Sequence, residues 1–225
     1  MTGYTLIRSN RKTIAIYIRD GRVEVRAPRR ASDKEIRAFV VSKEKWIAGK
    51  MAASKERLEK REGFSLDYGS LVRFMGSRYP IAARPGNKAG FDGENFFMPS
   101  DMAPEHIKSA CAFTYRLLAK SVMKEKVAHF AGLMSLSPAS VRITGAKTRW
   151  GSCSAKKSLN FSWRLMMADE DVIDYIAVHE LAHIKEMNHS ARFWAVVEGV
   201  LPDYREREKK LKELQKKLSE EDWGR

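Results

Sequence analysis

A helical segment that carries three histidines constrains this chain more than any other feature. Asp169 and Asp171 are suited to begin a helix, since aspartate is preferred at helix starts. The apolar residues that follow recur at helical intervals: Val172, Ile173, Ile176, Ala177, Leu181 and Ile184. Residues 179–183 read H-E-L-A-H. Because residues i and i+4 lie about 6 Å apart on one helix face, His179 and His183 can bind one Zn²⁺ at roughly 2.0–2.1 Å.

A third ligand must come from outside this turn of helix, because catalytic zinc usually has three protein ligands and one open position. His189 lies further along the chain, after Met187 and Asn188. Asn188 tolerates the left-handed conformation that ends helices, so we expect the helix to stop there and His189 to turn back to the metal. Glu186 is the competing third ligand, on the same face as His183. A single straight helix supplying all three ligands would strain the coordination, which favours His189.

This spacing predicts a hydrolase with one zinc ion per chain and Glu180 as its catalytic base. Glu180 is next to the first ligand, so its carboxylate lies beside the metal without occupying a ligand position. Zinc lowers the pKa of a bound water to about 7, and Glu180 can accept the proton and return it to a leaving amine. An accidental H-E-x-x-H with a further histidine at this distance has a chance of roughly 0.02% in such a composition. We therefore expect a zinc metalloendopeptidase.

The remainder of the chain predicts an α+β fold. A β-hairpin is expected around Arg19-Asp20-Gly21, with the glycine at positive φ, and then two short helices that begin at Ser32 with Glu35 at capping-box distance. Further strands are expected at 71–75, 79–83, 96–98, 141–144 and 159–167, and a long helix at 104–133. We expect a basic, β-rich N-terminal module with helices at 1–100 and a catalytic domain at 101–225, as two domains or one continuous unit.

Charge and cysteine content narrow the class of protein. The formal net charge is +14, and residues 1–62 carry +9 of it, with 17 Lys and Arg against 8 Asp and Glu. Such an excess is typical either of a surface for nucleic acid or another acidic partner, or of a solvated face. Cys111 and Cys153 form no C-x-x-C pair or disulfide framework. We found no apolar leader and no membrane span, so a cytoplasmic location is expected.

Several segments together carry a resemblance to a known family. They are R-K-T-I-A-I at 11–16, W-I at 46–47, T-R-W-G-S-C-S at 148–154, L-N at 159–160, V-I-D-Y-I-A-V-H-E-L-A-H at 172–183 and N-H-S-A-R-F-W at 188–194. They resemble the YgjP-like metallopeptidases, which are minimal zincins related in motif to the SprT-like and WLM proteases. The resemblance implies a zincin-like α+β fold, a strand that lines the cleft above the active-site helix, His179, His183 and His189 as metal ligands, and Glu180 as the catalytic glutamate. Ala168-Asp169 departs from the proline expected there, which affects only the helix start.

Other residues near these motifs are candidates for weaker roles. Arg149, Trp150 and Ser152 are predicted to bind substrate in the cleft. Cys153 is interpreted as a structural thiol, with a role as a fourth ligand or inhibitory thiol left open. Phe193 and Trp194 are expected to pack the helix after His189. The candidates for the donor that stabilises a transition-state oxyanion are Arg149, Arg192 and Tyr204.

Three other functions compete with a peptidase that acts on a peptide or protein substrate. The basic N-terminal module predicts a nucleic-acid-associated protein, in which the zinc site acts on bound protein, or a basic binding module with a zinc site. An RNA hydrolase similar to the YbeY-type endoribonucleases would have three histidines at similar spacing but no glutamate after the first, so Glu180 favours amide hydrolysis. A non-catalytic zinc-stabilised fold is disfavoured, because three ligands leave an open coordination position and Glu180 would have no function.

Overall fold

The computed structural model describes residues 3–19 and 21–224, which form two compact units. The first unit contains the chain up to Phe64 together with Ser219–Asp222, and the second contains Ser65–Leu218 and the residues from Trp223 onward. The second unit includes the strands between residues 71 and 99 because they pack on its long helix and its 3-10 helix. The predicted domains at 1–100 and 101–225 stay a prediction.

The first unit is a three-stranded sheet with two helices. Strands β1 (Tyr4–Ser9), β2 (Ala15–Arg19) and β3 (Arg22–Pro28) lie in the order β1-β3-β2. The antiparallel pair β2–β3 confirms the predicted hairpin, and Gly21 has φ +71°, while Asp20 lies outside the described residues. Strand β1 was not expected, since it pairs in parallel with β3 and has an irregular burial pattern.

Helices α1 (Asp33–Ser42) and α2 (Glu44–Glu62) confirm the two helices expected after the hairpin. The Ser32 side chain accepts from the Glu35 backbone N–H while the Glu35 carboxylate accepts from the Ser32 N–H, which is the predicted capping box. Ile36 of α1 and Ile47 of α2 join alternate residues of β3 in the core of the unit.

The second unit begins with a four-stranded sheet. Its strands are β4 (Leu71–Phe74), β5 (Ser77–Arg84), β6 (Gly90–Phe91) and β7 (Phe96–Pro99), in the order β4-β5-β7-β6. The β4–β5 turn falls at Met75-Gly76, one residue before the predicted turn. Both residues have positive φ, at 49° and 88°, as a two-residue hairpin turn of this type requires.

Helix α3 (Pro104–Leu133) has the predicted bounds and begins with proline, which suits the first position of a helix. It packs beside a second sheet made of β8 (Ser140–Thr144), β9 (Gly151–Cys153) and β10 (Ser158–Ser162), in the order β8-β10-β9. The strand predicted at 159–167 is correct only in its first part. Trp163–Met167 is a 3-10 helix whose residues are all buried, and an apolar run of this kind does not distinguish strand from buried helix.

Helix α4 (Glu170–Ala182) is the predicted active-site helix, with Asp169 at its N-cap. The expected end at Asn188 is wrong: the helix ends at Ala182 with His183 as its C-cap, and Asn188 does not have positive φ. The N–H groups of residues 184–186 instead close short turns on Leu181 and Ala182. These turns let the chain leave the helix directly after the second histidine.

Two further helices, α5 (Ala191–Val200) and α6 (Tyr204–Leu218), follow α4 and pack against it. Ser190 caps α5 by accepting a hydrogen bond from the Phe193 N–H at 3.4 Å. The mixture of helices with small sheets confirms the predicted α+β class. Among the helices of the described ranges, we find none with the length and apolar character that crossing a membrane requires.

Candidate metal centre

Three imidazoles converge at the end of α4. His179 lies in the last turn of the helix, His183 caps it, and His189 lies in the segment that leads into α5. One ligand atom from each of the three lies within 4.8 Å of the others. The Nε2 atoms of His179 and His189 are 3.0 Å apart. Two nitrogens bound tetrahedrally to one zinc ion would lie about 3.4 Å apart, so this pair is close to the spacing of a metal site.

The main chain orients His183 for binding through Nε2. Its Nδ1 lies 3.1 Å from the carbonyl oxygen of Glu186. A carbonyl can only accept, so Nδ1 carries the proton and donates it, which leaves the Nε2 lone pair for a metal. Among the described residues, the group suited to a metal ion contains the three histidines and not the Glu186 carboxylate. Glu186, weighed above as a rival ligand, therefore contributes a backbone carbonyl to this site.

Burial keeps the first two histidines neutral. Burial, together with the neighbouring His183 and His189, lowers the pKa of His179 to about 3. Burial also lowers the pKa of His183, partly opposed by the bond to Glu186. The His179 Nδ1 is buried without a hydrogen-bond partner among the described residues. Neutral imidazole is the form that binds metal, so these rings are ready as ligands at physiological pH.

The Glu180 carboxyl lies buried beside the histidines, with only 5% of the residue exposed. Burial raises its pKa to about 8, while Arg149 acts in the opposite direction. Its Oε2 atom has no hydrogen-bond partner within the described chain. A buried oxygen of this kind needs a donor, and a water molecule or substrate held by the histidines would supply one.

Glu180 fits in this position because residue 151 has no side chain. A Cβ atom on Gly151 would lie 2.5 Å from the Glu180 Oε1 and 2.6 Å from its Cγ. Gly151 begins β9, so the strand passes directly against the carboxyl group. No role was predicted for Gly151, although an isolated glycine inside a strand often marks such a close approach.

Aromatic rings surround the histidines. The centroid of the Phe193 ring lies 4.5 Å from that of His183, 4.7 Å from His189 and 4.9 Å from His179. The Trp194 ring contacts those of His179 and His189. The Tyr204 ring stacks on the Trp194 ring, with 5.1 Å between their centroids. The predicted packing role of Phe193 and Trp194 is thus seen directly on the histidine rings. This apolar shell restricts the rotation of the imidazoles.

Strand β9 presents an open edge above α4. It pairs with β10 on one side, and no strand of the described residues pairs with the other. The Ser162 N–H donates to the Trp150 carbonyl, and the Ser154 N–H to the Ser158 carbonyl. Because antiparallel pairing alternates along a strand, the backbone groups of Gly151 and Cys153 point towards the open edge.

The remaining predicted site residues, Arg149, Trp150, Ser152 and Cys153, differ in their exposure and in their contacts. Arg149 is exposed but close enough to influence Glu180, Trp150 is half-buried, and the Ser152 hydroxyl accepts from the Asn160 amide at 3.3 Å. Burial raises the pKa of the Cys153 thiol, and the nearby Glu180 carboxyl adds to the shift. Cys153 is outside the metal-binding group found among the described residues.

Tyr204 and Arg192, the two other candidates for the oxyanion donor, have no observed effect on the Glu180 carboxyl. The Tyr204 hydroxyl accepts from the Arg205 Nε at 3.2 Å, and its ring is buried against Trp194. Arg192 is exposed on the first turn of α5. Of the three candidates, Arg149 is the one whose charge acts on the Glu180 carboxyl.

The donor set fits zinc. Three imidazole nitrogens with a carboxylate beside them are the ligands of catalytic zinc sites, which leave one coordination position open. The Glu180 Oε2, which is buried without a hydrogen-bond partner among the described residues, is available as a proton acceptor for a water at such an open position. Neutral rings, one of them held by a carbonyl, complete the arrangement expected of metal-binding histidines.

Comparison with known proteins shows the family of this chain. A search of curated proteins found no match. The chain is similar to the crystal structure of the metallopeptidase zymogen of Pyrococcus abyssi abylysin, with 26% identity, a TM-score of 0.39, and coverage of 44% of this chain and 97% of that one. It is also similar to the metallopeptidase zymogen of Methanocaldococcus jannaschii jannalysin, with 26% identity, a TM-score of 0.37, and coverage of 40% and 94%. Residues 12–214 match the family of YgjP-like metallopeptidase domains, so the chain belongs to that family.

Proposed function

We propose that this metallopeptidase is a zinc-dependent endopeptidase in which His179, His183 and His189 hold the metal and Glu180 is the catalytic base. The observation that carries the proposal is the convergence of three imidazoles within 4.8 Å beside a buried carboxyl group with an unpaired oxygen. Zinc, when bound, lowers the pKa of a coordinated water to about 7 and polarises the carbonyl group of a substrate.

Glu180 transfers the proton in this proposal. Its Oε2 atom accepts the proton of the attacking water and later returns it to the nitrogen of the leaving amine. Burial raises the pKa of the carboxyl to about 8, which makes its ionised form a stronger base for this exchange, and the positive charge of Arg149 favours that ionised form. Gly151 leaves room for the carboxyl, and the Glu186 carbonyl keeps the His183 ring in the orientation that this arrangement needs.

The open edge of β9 is the proposed site for the peptide. A peptide added alongside this strand would form main-chain hydrogen bonds with Gly151 and Cys153, the residues whose backbone groups face outward. Such bonds depend little on the side chains of the substrate. Trp150, Ser152 and Arg149 flank this edge and are the proposed contacts for substrate side chains, and Arg149 is the proposed oxyanion donor.

The test combines metal content with peptidase activity. We expect about one zinc per wild-type chain by mass spectrometry and much less in His189→Ala. We expect Glu180→Gln to retain zinc and to cleave a quenched fluorescent peptide library about 10²–10⁴-fold more slowly.

Glu186→Gln is the matched control, because the site uses the backbone carbonyl of Glu186 and not its carboxylate. This variant should retain both zinc and activity. The proposal fails if wild-type protein takes up no zinc on reconstitution, or if Glu180→Gln cleaves peptides as fast as wild type.

A further inference from the structure

A basic groove lies in the second unit, away from the metal centre. It has a volume of about 660 Å³ and is lined by Arg116, Lys120 and Lys124 of α3 and by Val141, Arg142 and Ile143 of β8. Strand β8 is at one edge of its sheet and β9 is at the other. With neighbouring strands about 4.8 Å apart, the groove lies roughly 10 Å across the sheet from the strand that covers Glu180.

The cations of the groove form a regular row. Arg116, Lys120 and Lys124 are four residues apart, so their Cα atoms follow one face of α3 at intervals of about 6 Å. Lys120, Lys124 and Arg142 are exposed, and within the described chain none of them has a hydrogen bond or ion pair. The part of the chain that the structure describes contributes four cations and no carboxylate to the lining. At Lys120, Lys124 and Arg142, a ligand with several negative charges would therefore meet positive charge that has no ion-pair partner within the described chain.

Exposed apolar side chains accompany this row. Phe113 is 55% exposed and Leu117 is 52% exposed, both on α3. Successive residues of an α-helix are rotated by about 100° around its axis. By this rotation, Phe113 and Leu117 lie on the same face of α3 as its three cations, within an arc about 100° wide. Glu125 lies outside this arc. An exposed aromatic ring beside a basic groove has no packing role in the protein core.

We propose that this groove binds single-stranded nucleic acid. Non-specific single-strand sites combine a positively charged groove that follows the phosphates with an aromatic surface on which bases stack. Here Lys120, Lys124 and Arg142 would contact phosphates and Phe113 would stack on a base. An acidic peptide would use the charges but not the exposed ring. A duplex is disfavoured, because proteins read it by inserting a helix or strand into its grooves and this surface is concave.

The site is independent of the proposed peptidase chemistry. None of its residues contacts the histidines, so binding can be measured in the full chain with Glu180→Gln in place and no metal added. The probe is a fluorescein-labelled oligo-dT or oligo-rU of about 15 nucleotides, followed by fluorescence anisotropy at about 50–200 mM salt.

We expect the triple variant Lys120→Glu, Lys124→Glu, Arg142→Glu to bind at least tenfold more weakly than wild type. We also expect the slope of log K against log salt to fall by about 2, since each phosphate contact contributes about 0.7. Phe113→Ala should weaken binding about fivefold or more through loss of stacking. The corresponding triple glutamine variant repeats the test without charge reversal, and thermal melting checks that every variant is folded.

Lys34→Glu, Lys50→Glu, Arg57→Glu in the first unit is the matched control, with the same charge change at three exposed positions. It should leave binding within about twofold, because long-range attraction between exposed charges is largely screened at these salt concentrations. The proposal is overturned if this control weakens binding as much as the groove variant, if wild type does not bind at about 50 mM salt, or if oligo-glutamate or a duplex of equal length competes as well as the single strand.

Discussion

At the scale of single residues, the proposed chemistry depends on what lies next to each functional side chain. The three histidines and Glu180 occur in a local pattern, but their states depend on neighbours from other elements. Burial lowers the pKa of His179 to about 3 and raises that of Glu180 to about 8. These opposite directions have one cause, because loss of solvent disfavours the charged form of either group. The His179 ring and the Glu180 carboxyl are therefore both driven towards the neutral form before a metal is bound.

Gly151 is the neighbour whose substitution tests this arrangement. In Gly151→Ala, the added Cβ would lie 2.5 Å from the Glu180 Oε1, so the carboxyl must move. A displacement of about 1 Å of a reacting group can lower the rate about 100-fold, so we expect kcat/KM to fall by that order while zinc content stays at the wild-type level.

Gly199→Ala is the control for the alanine substitution itself, because among the described residues nothing beyond the adjacent residues and backbone of α5 lies within 4 Å of the Cβ that it adds. Its kcat/KM should stay near the wild-type value. Wild-type kcat/KM in Gly151→Ala would show that Glu180 does not need its observed position.

At the scale of elements, the metal centre is an assembly of the end of α4 and the start of α5. Helix α4 ends at the second histidine, and the turn that follows supplies the Glu186 carbonyl to His183. Ser190 then starts α5 and places Phe193 on its first turn, against all three imidazoles. Residues 183–190 thus form the connection that brings His189 back towards His179.

Phe193 tests how much this assembly depends on packing. The side chain is fully buried, so Phe193→Ala should lower the free energy of unfolding by about 3–5 kcal/mol. It should also weaken zinc binding, since the rings lose the surface that holds them. Urea denaturation with a chelator present measures the first effect, and zinc titration at low urea measures the second.

Leu133→Ala removes an apolar side chain that is 64% exposed and should change stability by no more than about 0.5 kcal/mol. An equal effect of the two substitutions on stability would contradict the proposed role of Phe193.

At the scale of the whole molecule, the proposed metal connects α4 with the segment that precedes α5. His179 belongs to α4, His183 is its C-cap, and His189 belongs to the segment before α5. A ligand that binds only the folded state stabilises it by about 2.7 kcal/mol when its free concentration is 100 times its Kd. In a chain of this size, such a gain raises Tm by about 5–10 °C.

We therefore expect a chelator to abolish peptidase activity and to lower the Tm of the zinc-loaded second unit by about that amount. In His189→Ala, which lacks one ligand, the difference between zinc-loaded and chelated protein should be much smaller. Differential scanning calorimetry of the full chain, with and without chelator, makes the comparison. A Tm of wild type that does not respond to zinc would contradict a metal bridge between α4 and α5.

Much of this protein could be read directly from local sequence. The amphipathic period of 169–184 predicted α4 and its two histidines, the capping box predicted the start of α1, and an uninterrupted helical pattern predicted α3. These features depend on residues three or four positions apart, so a short window contains their cause. The position of the third histidine could likewise be predicted from its spacing in the sequence, although the turn that presents it was predicted incorrectly.

Tertiary structure decided the rest, because the causes lie far apart in the chain. The parallel pairing of β1 with β3 and the 3-10 helix at Trp163–Met167 depend on neighbours that no local period reveals. Gly151 matters only because β9 passes over Glu180. The Glu186 carbonyl can reach the His183 ring only because α4 ends before residue 186. The sequence alone determined which groups are proposed to carry the chemistry, whereas long-range packing determined their burial, the direction of their pKa shifts and the strand that faces them.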